Sequence, residues 1–392
     1  MISQRIKNIT LSGTMEIAAK VIELQDNGID IVNLSVGEPD LPTPEHIKKA
    51  GINAIRNNQT KYTSNTGLTE LKKAIQKKFK DDYNANYSTD EIIVSTGAKQ
   101  ALYNAIQTII SSKDEVIIPA PYYVSYIDMV KLAGGNPVIV NTTRENKFKI
   151  TAAEFEQNIS GKTKAILFCN PNNPTGSVYT KKELLDIVEV ALKNNLIIVS
   201  DEIYEKLIYD SLEFTGIASF GEKVKNNSII INGVSKAYSM TGWRIGYACA
   251  PDEIINGMGK IQSHSTSNAN TISQHATITA LTGPQTCVEE QKIKFEKRRN
   301  FLVNELNKIK NISFDIPHGA FYFFIKIEKI LNSSNHLKTS REFCLDLLNN
   351  GHVATVPGSA FGMENYIRIS YSKSMEELES AVNRIKKYIE TI

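Results

Sequence analysis

The chain has 392 residues, which is too many for one simple core, so two domains or one large domain with a smaller appendage are expected. Hydrophobic residues make up 41% of the chain and charged residues 22%, as in ordinary globular proteins. The formal net charge is only +3, so the composition gives no reason to expect nucleic acid or a membrane surface as a partner.

The first part of the chain alternates between helical and strand patterns. Apolar residues at Leu71, Ile75 and Phe79 form one stripe and predict a helix over 68–79. The run 91–94 predicts a short strand, followed by a turn and a second amphipathic helix. Further short apolar strands are predicted at 115–118, 137–140, 165–168, 196–199 and 229–231. Helical segments separate most of these strands, which is typical of an α/β fold with a mostly parallel, buried sheet.

Small and polar residues follow several of the predicted strands. They are Gly97-Ala98-Lys99, the segment 170–176, Asp201 with Tyr204, and Ser235-Lys236. Ligands of parallel sheets bind at the carboxyl ends of the strands, so a binding site is expected where these residues meet. No strand is followed by a Walker loop or a Gly-x-Gly-x-x-Gly motif, which disfavours nucleotide-binding folds of those kinds.

The last hundred residues mix helical patterns with a Phe-rich strand predicted at 319–325. The four cysteines are scattered without a Cys-x-x-Cys pair, which favours free thiols in a reducing compartment and gives no indication of a metal site. Neither an apolar signal core near residue 1 nor a run of 18 apolar residues is present, so a cytoplasmic protein without a membrane partner is expected.

The segment around Lys236 is the most specific feature of the sequence. Lys236 follows the apolar run 228–231, small residues surround it, and Arg244 lies eight positions later, where it could hold a phosphate. The thirteen residues 235–247 are similar, without a gap, to the Schiff-base lysine segment of class I pyridoxal-phosphate (PLP) aminotransferases. The resemblance extends over essentially the whole chain, from about residue 11 to the predicted helix 375–389, and is strongest to the bacterial-type aspartate aminotransferases.

This resemblance implies a fold and an assembly. The fold would be that of fold type I PLP enzymes, with a mostly parallel central sheet in a large PLP-binding domain and a smaller α/β domain built from both chain ends. The large domain is expected at 45–285, and the small domain at 1–44 and 286–392. The resemblance also implies a homodimer with shared active sites, because Tyr62 in the segment Thr60-Lys61-Tyr62 corresponds to a family tyrosine that reaches the phosphate of the neighbouring subunit's cofactor. Taken alone, Tyr62 would be interpreted as a packed or surface tyrosine.

The resemblance also assigns the catalytic and cofactor-binding residues. PLP chemistry needs an amine to hold the cofactor as an imine, a carboxylate for the pyridine nitrogen and donors for the phosphate. Lys236 would be the amine and later the base that moves a proton, and Asp201 would be the carboxylate. Tyr204 and Asn173 match the family residues that hydrogen-bond the cofactor O3′. An isolated aspartate at a strand end would more often cap the next turn.

The remaining family positions concern the phosphate and the substrate. Backbone N–H groups at the start of the helix opened by Gly97, Ala98 and Lys99 favour an anion, and Arg244 and Ser235 would add a charge and a hydroxyl. Tyr123 occupies the place of the aromatic ring that stacks on the pyridine, where many relatives have tryptophan. The substrate-binding positions are Arg368, which grips the α-carboxylate with Asn173 and Gly37, and Lys99, Ser12 and Thr14, which match a subgroup's contacts to a distal carboxylate.

The activity implied is PLP-dependent transamination by a ping-pong mechanism, in which L-aspartate and 2-oxoglutarate give oxaloacetate and L-glutamate. Partners would be amino acids and 2-oxo acids. An aminotransferase for aromatic amino acids, alanine or prephenate, or a β-lyase, would keep every cofactor residue and differ only in the side-chain pocket. A non-catalytic PLP-binding regulator is the alternative from a different class.

Overall fold

The computed structural model describes residues 2–7, 9 and 13–392, and the side chains of residues 16–392 throughout. Ser12 lies outside the described residues, and so does the side chain of Thr14, so the distal-carboxylate contact expected of them stays a prediction. The helices are α1 (Gln4–Lys7), α2 (Gly13–Asp26), α3 (Glu45–Arg56), α4 (Thr69–Tyr83), α5 (Ala98–Ile109), α6 (Tyr126–Leu132), α7 (Ala152–Gln157), α8 (Lys181–Lys193), α9 (Glu222–Lys225), α10 (Asp252–Ser263), α11 (Thr271–Thr282), α12 (Thr286–Leu306), α13 (Glu328–Ser333), α14 (Ser340–Gly351) and α15 (Met375–Ile389). The strands are β1 (Val32–Asn33), β2 (Ile92–Thr96), β3 (Glu115–Ala120), β4 (Asn136–Asn141), β5 (Thr163–Cys169), β6 (Ile197–Asp201), β7 (Ser228–Gly233), β8 (Ile245–Cys249), β9 (Ser313–Phe314), β10 (Tyr322–Lys326), β11 (Val353–Ala354), β12 (Val356–Pro357) and β13 (Tyr366–Ser370).

Seven strands form the central sheet in the order β2-β8-β7-β6-β5-β3-β4. Strands β7, β6, β5, β3 and β4 run parallel, whereas β8 is antiparallel to both of its neighbours. The expected mostly parallel α/β fold is therefore confirmed. Strand β8 was not predicted, because it lies inside the lysine segment and its Gly246 weakens the strand pattern. At the other edge, β4 is only partly buried.

The short apolar runs become strands because the sheet is covered on both faces. Along β7, Ile229 and Ile231 belong to one hydrophobic core, and Ile230 between them belongs to the other. A strand that packs on both faces needs apolar residues at every position, which explains the continuous runs in the sequence. The helix predicted at 68–79 is α4, and its Leu71, Ile75 and Phe79 are fully buried.

A second, smaller set of strands follows in the C-terminal part. Strands β12, β13, β10 and β9 form an antiparallel sheet, and β1 pairs in parallel with β11. The β1–β11 pairing ties the N-terminal segment to the C-terminal part, with Val32 opposite Val353. This pairing supports the division into a large domain (45–285) and a small domain (1–44 and 286–392), which we propose on that basis.

The described helices include none that is both long enough and apolar enough to cross a bilayer. All four cysteines are free thiols, and Cys169, Cys249 and Cys344 are buried. Over residues 2–7, 9 and 13–392, no group of three or more His, Cys, Asp or Glu side chains is arranged to hold a metal ion.

Candidate active site

A cleft of about 470 Å³ opens at the carboxyl ends of β5, β6 and β7, between the central sheet and the C-terminal sheet. Parallel strands end at the same edge of a sheet, and this geometry brings together residues that are far apart in sequence. The cleft is lined by Ala18, Ser35, Val36, Gly37, Glu38, Ala98, Lys99, Leu102, Tyr123, Val124, Cys169, Asn173, Asp201, Ile203, Tyr204, Ser235, Lys236, Thr241, Arg244, Tyr322 and Arg368.

Lys236 lies three residues beyond the end of β7, and its side chain enters the cleft. Its Nζ donates a hydrogen bond of 2.7 Å to the carbonyl of Gly37. The pKa of Lys236 is lowered to about 8, mainly by burial; the charges of Arg244 and Arg368 act in the same direction, and Glu38 opposes them. An amine with a lowered pKa is more often neutral, as a nucleophile or base must be.

Asp201 is the last residue of β6 and is buried in the cleft. Its Oδ2 accepts a hydrogen bond of 2.9 Å from the hydroxyl of Tyr126. Burial raises the pKa of Asp201 to about 6, because the carboxylate loses its hydration. No lysine or arginine of the described chain forms an ion pair with it. The carboxylate is thus available to a protonated group of a ligand.

Tyr204 and Asn173 reach the cleft from the loops after β6 and β5. The hydroxyl of Tyr204 lies 2.9 Å from the hydroxyl of Tyr322, and burial raises the pKa of Tyr204 well above its usual range. The Oδ1 atom of Asn173 accepts a 3.0 Å hydrogen bond from Nη1 of Arg368. Both side chains are therefore held in place by other cleft residues.

The start of α5 and Arg244 form a cradle for an anion at one end of the cleft. Gly97 precedes the helix with a φ of +82°, and a Cβ on it would lie 2.3 Å from Nη2 of Arg244. Only glycine allows this close approach. The first backbone N–H groups of a twelve-residue helix and a guanidinium converge here, with the buried hydroxyl residue Ser235 nearby. Such an arrangement favours a phosphate or another anion.

Arg368 is a buried cation without an acidic partner among the described residues. It lies in the middle of β13, and its Nη2 donates a 2.6 Å hydrogen bond to the carbonyl of Ser35. Its Nε atom is buried and has no hydrogen-bond partner in the part of the chain that the structure describes. A buried charge is costly unless it is paired, so the site is suited to a ligand that brings a carboxylate.

Lys99 and Tyr123 also line the cleft. The Nζ atom of Lys99 lies 5.5 Å from the centroid of the Tyr123 ring, within the range of a cation–π contact. Lys99 also forms no ion pair within the described chain, and the same holds for Lys236 and Arg244, so Lys99 is a further unpaired cation of the cleft in addition to Arg368. Tyr62 does not line this cleft; it is 93% exposed on the surface of the chain.

Several residues that hold the side chains of the cleft were not found by sequence reasoning. Tyr126 holds Asp201, Tyr322 contacts Tyr204, and Ser35 binds Arg368. Tyr126 lies three residues after Tyr123 at the start of α6, which is the only sequence signal it offers. Tyr322 belongs to the Phe-rich strand, whose pattern predicts a core position and nothing more.

Glu202 is a fully buried acid on the strand end that carries Asp201. Its Oε1 accepts hydrogen bonds from the Ser200 hydroxyl (2.9 Å) and from the backbone N–H of Ile217 (3.0 Å), while Oε2 has no partner. Burial raises the pKa of Glu202 to about 7, against the opposing effect of those hydrogen bonds. The carboxyl of Glu202 therefore stays protonated to a higher pH in the folded protein than in the unfolded chain.

This proton makes stability depend on pH in a defined direction. Between the usual pKa of 4.5 and about 7, the folded state holds more protons than the unfolded state. The stabilisation that the protonated Glu202 contributes to the folded state is therefore full below this pH window and is lost as the pH rises through it. Relative to the wild type, Glu202→Gln should gain roughly 1–3 kcal/mol in the free energy of unfolding between pH 5 and pH 8. Urea unfolding at both pH values measures the change. The exposed Glu289→Gln is the control, and parallel pH profiles for wild type and Glu202→Gln would contradict the prediction.

Comparison with known proteins gives one consistent family. The family model for aminotransferases of class I and II matches residues 29–385. An aspartate aminotransferase of Bacillus sp. (strain YM-2) is 46% identical over 389 residues, which cover 99% of each chain. A probable aspartate/prephenate aminotransferase of Rickettsia conorii is 45% identical, covering 100% of this chain and 99% of the relative. Among solved structures, the aspartate aminotransferase from Rhizobium meliloti superposes with a TM-score of 0.95 at 41% identity, covering 100% of this chain and 99% of the other. The enzyme from Thermus thermophilus with maleate gives a TM-score of 0.93 at 37% identity and covers 99% of each.

Proposed function

Because the chain belongs to the class I and II aminotransferase family, we propose that it is an aspartate aminotransferase, which converts L-aspartate and 2-oxoglutarate into oxaloacetate and L-glutamate. Enzymes of this family depend on PLP. The observation that carries the choice of substrate concerns the cations of the cleft, none of which forms an ion pair in the described chain: Lys99, Lys236, Arg244 and Arg368. Since Lys236 and Arg244 are assigned to PLP, Arg368 and Lys99 remain for the substrate. An amino acid with two carboxylates would neutralise both.

The residues of the cleft fit PLP. When bound, PLP supplies an aldehyde that condenses with amines and a ring that accepts electrons from the substrate. Lys236 offers the amine and Asp201 the carboxylate for the ring nitrogen. The cradle where a Cβ on Gly97 would collide with Arg244 suits the phosphate. The remaining cofactor contacts that we propose are Ala98, Lys99, Tyr123, Asn173, Tyr204, Ser235 and, from a second copy of the chain, Tyr62.

The chain's own residues divide the work of the reaction. Arg368 binds the α-carboxylate of the substrate through its two forked nitrogens, and Asn173 and Gly37 help to orient it. Lys236 Nζ would then take the proton from the substrate α-carbon and return it to the cofactor carbon that receives the amino group. A pKa near 8 leaves a useful fraction of this amine neutral near pH 7. In the second half of the cycle the same residues bind the 2-oxo acid.

The proposal is tested by exposing the purified PLP form to one amino acid at a time and following the absorbance change to pyridoxamine phosphate. Rapid conversion with aspartate and glutamate supports the assignment. Rapid conversion only with aromatic or apolar amino acids would keep the aminotransferase activity and overturn the substrate. Conversion with none of them, with PLP still bound, would favour the non-catalytic regulator.

Prephenate is a second candidate substrate, because relatives such as the Rickettsia conorii protein are named probable aspartate/prephenate aminotransferases. Prephenate is a 2-oxo acid with a second carboxylate, so it too would use both Arg368 and Lys99. Adding prephenate to the pyridoxamine form tests this directly. Return of the PLP absorbance at a rate comparable to that with 2-oxoglutarate would establish both acceptors.

Replacing Lys99 tests the selectivity for a second carboxylate. Lys99→Ala removes one charged contact, so kcat/KM for aspartate should fall by about 10- to 100-fold, the value of a hydrogen bond to a charged group, whereas alanine should lose about threefold or less. Steady-state kinetics with both amino acids measure the two losses. Lys131→Ala, which removes a lysine outside the cleft, is the control. Equal losses on both substrates would mean that Lys99 serves the phosphate or the fold.

We also propose that the enzyme is a cytoplasmic homodimer. Tyr62 is 93% exposed and does not line the cleft of its own chain, so a contribution to the phosphate site requires a second copy. Size-exclusion chromatography with light scattering would give the mass of the assembly. A monomer with full activity would contradict a shared site. The free, mostly buried thiols suit a reducing compartment.

A further inference from the structure

Tyr322 is the first residue of β10, and its side chain lines the cleft. Its side chain is 1% exposed, and the strand register explains where it points. Arg368 lies opposite Phe324, and Tyr322 is two residues from Phe324, so Tyr322 and Arg368 share one face of the sheet. A tyrosine here places an aromatic ring and a hydroxyl beside different groups of the site.

The ring of Tyr322 supports the guanidinium of Arg368. The guanidinium carbon lies 4.4 Å from the centroid of this ring and 5.1 Å from that of Phe361. Hydrogen bonds to Asn173 and Ser35 hold two nitrogens of the guanidinium, and none holds Nε. A ring at cation–π distance therefore adds an orienting contact that the hydrogen bonds do not supply.

The hydroxyl of Tyr322 contacts two other residues of the site. It lies 2.9 Å from the hydroxyl of Tyr204, and a Cβ on Gly37 would lie 2.3 Å from it. Gly37 is also the residue whose carbonyl accepts the hydrogen bond of Lys236. The Tyr322 hydroxyl is thus packed against the loop that holds the reactive amine and bonded to the phenol proposed to face the cofactor oxygen.

A hydroxyl in this place strengthens the hydrogen bond that Tyr204 makes. When Tyr204 donates its proton to a ligand oxygen, its own oxygen is free to accept one from Tyr322. Successive hydrogen bonds polarise each other, so Tyr204 becomes a better donor. Burial raises the pKa of Tyr322 to about 12, which keeps this second phenol protonated over the working pH range.

We propose that Tyr322 is a positioning residue that serves both ends of the reaction: its hydroxyl strengthens donation by Tyr204 to the cofactor oxygen, and its ring orients Arg368 for the substrate carboxylate. This inference rests on the proposed function, which supplies the roles of Tyr204 and Arg368. It adds Tyr322, which contacts both of these residues. The hydroxyl of Tyr322 acts on Tyr204, and its ring acts on Arg368.

Two substitutions separate these effects. Tyr322→Phe keeps the ring and removes the hydroxyl, whereas Tyr322→Leu removes both. Two readouts are used on the PLP-loaded protein: the pH midpoint of the visible absorbance of the cofactor, and the dissociation constant of maleate, an unreactive dicarboxylate. The midpoint reports on the donors to the cofactor oxygen, and maleate reports on the carboxylate-binding cations.

For Tyr322→Phe we expect the midpoint to rise by about 0.5–1 pH unit, because the deprotonated form of the cofactor loses support from Tyr204, with maleate affinity within about twofold of wild type. For Tyr322→Leu we expect the same rise and, in addition, maleate binding weakened by about five- to tenfold, in line with the loss of one cation–π contact. Tyr371→Phe is the matched control, because it removes a buried hydroxyl that donates to the Ala320 carbonyl and does not line the cleft.

The inference fails if Tyr322→Phe leaves the midpoint unchanged, or if Tyr322→Leu binds maleate as tightly as Tyr322→Phe. It also fails if Tyr371→Phe shifts the midpoint equally, since a general loosening of the core would then explain the change. A wild-type protein that bound no PLP or converted no amino acid would instead refute the proposed function. Thermal unfolding of each variant identifies any that do not fold, and Tyr322→Phe, which keeps the ring packing, then decides the hydroxyl's role alone.

Discussion

Replacing Lys236 with alanine is expected to reduce turnover of aspartate by more than about 10³-fold, because the base that moves the α-carbon proton is lost. The amine is also the group that anchors PLP covalently in the proposed function. PLP should still bind, since Asp201, the α5 cradle and Arg244 remain. Rapid mixing of the PLP-loaded variant with aspartate, followed by absorbance, measures the rate of proton transfer separately from binding.

Lys236→Arg is a useful companion to this variant. It keeps the positive charge near Gly37 but offers no neutral amine, so it should be as inactive as Lys236→Ala. Lys149→Ala is the control for the loss of a buried lysine, since Lys149 pairs with Glu183 outside the cleft. Turnover within tenfold of wild type in Lys236→Ala would show that another group moves the proton.

The second large effect is expected from Arg368→Lys. A lysine keeps the charge but cannot offer two forked donors to one carboxylate, so kcat/KM should fall by about 30- to 1,000-fold, which corresponds to roughly 2–4 kcal/mol of transition-state binding. Since every amino acid substrate has an α-carboxylate, aspartate and alanine should lose about equally. Steady-state kinetics with the two substrates give both losses.

This pattern distinguishes Arg368 from Lys99, whose replacement should affect aspartate selectively. Arg299→Lys is the matched control, because Arg299 is equally buried and grips Asp210 with two nitrogens outside the cleft. It should lower stability and leave kcat/KM within about threefold. A loss at Arg368→Lys confined to aspartate would mean that Arg368 binds the distal carboxylate instead.

Sequence reasoning worked best where a single strand or motif contained the whole signal. The run 229–231 predicted a buried strand because both of its faces need apolar residues, and β7 lies there. The residues Lys236, Asp201 and Asn173 were selected because they match the family motifs and lie at or just after the ends of such strands. The structure brings them into one cleft. Strand β8 escaped prediction, because its signal is mixed with the small residues that let the chain approach α5 closely.

The α/β class, the family and the candidate residues at the strand ends can be inferred from the sequence alone, because they depend on short-range periodicity and on a contiguous motif. The groups that surround those candidates follow only from the packing of the folded chain. Tyr126 and Tyr322 are distant in sequence from the residues that they contact. Their burial depends on how the helices and the C-terminal sheet pack against the central sheet. The lowered pKa of Lys236 and the raised pKa of Asp201 have the same origin, since burial and neighbouring charges exist only in the folded chain. The same is true of the buried Nε atom of Arg368, which has no hydrogen-bond partner among the described residues.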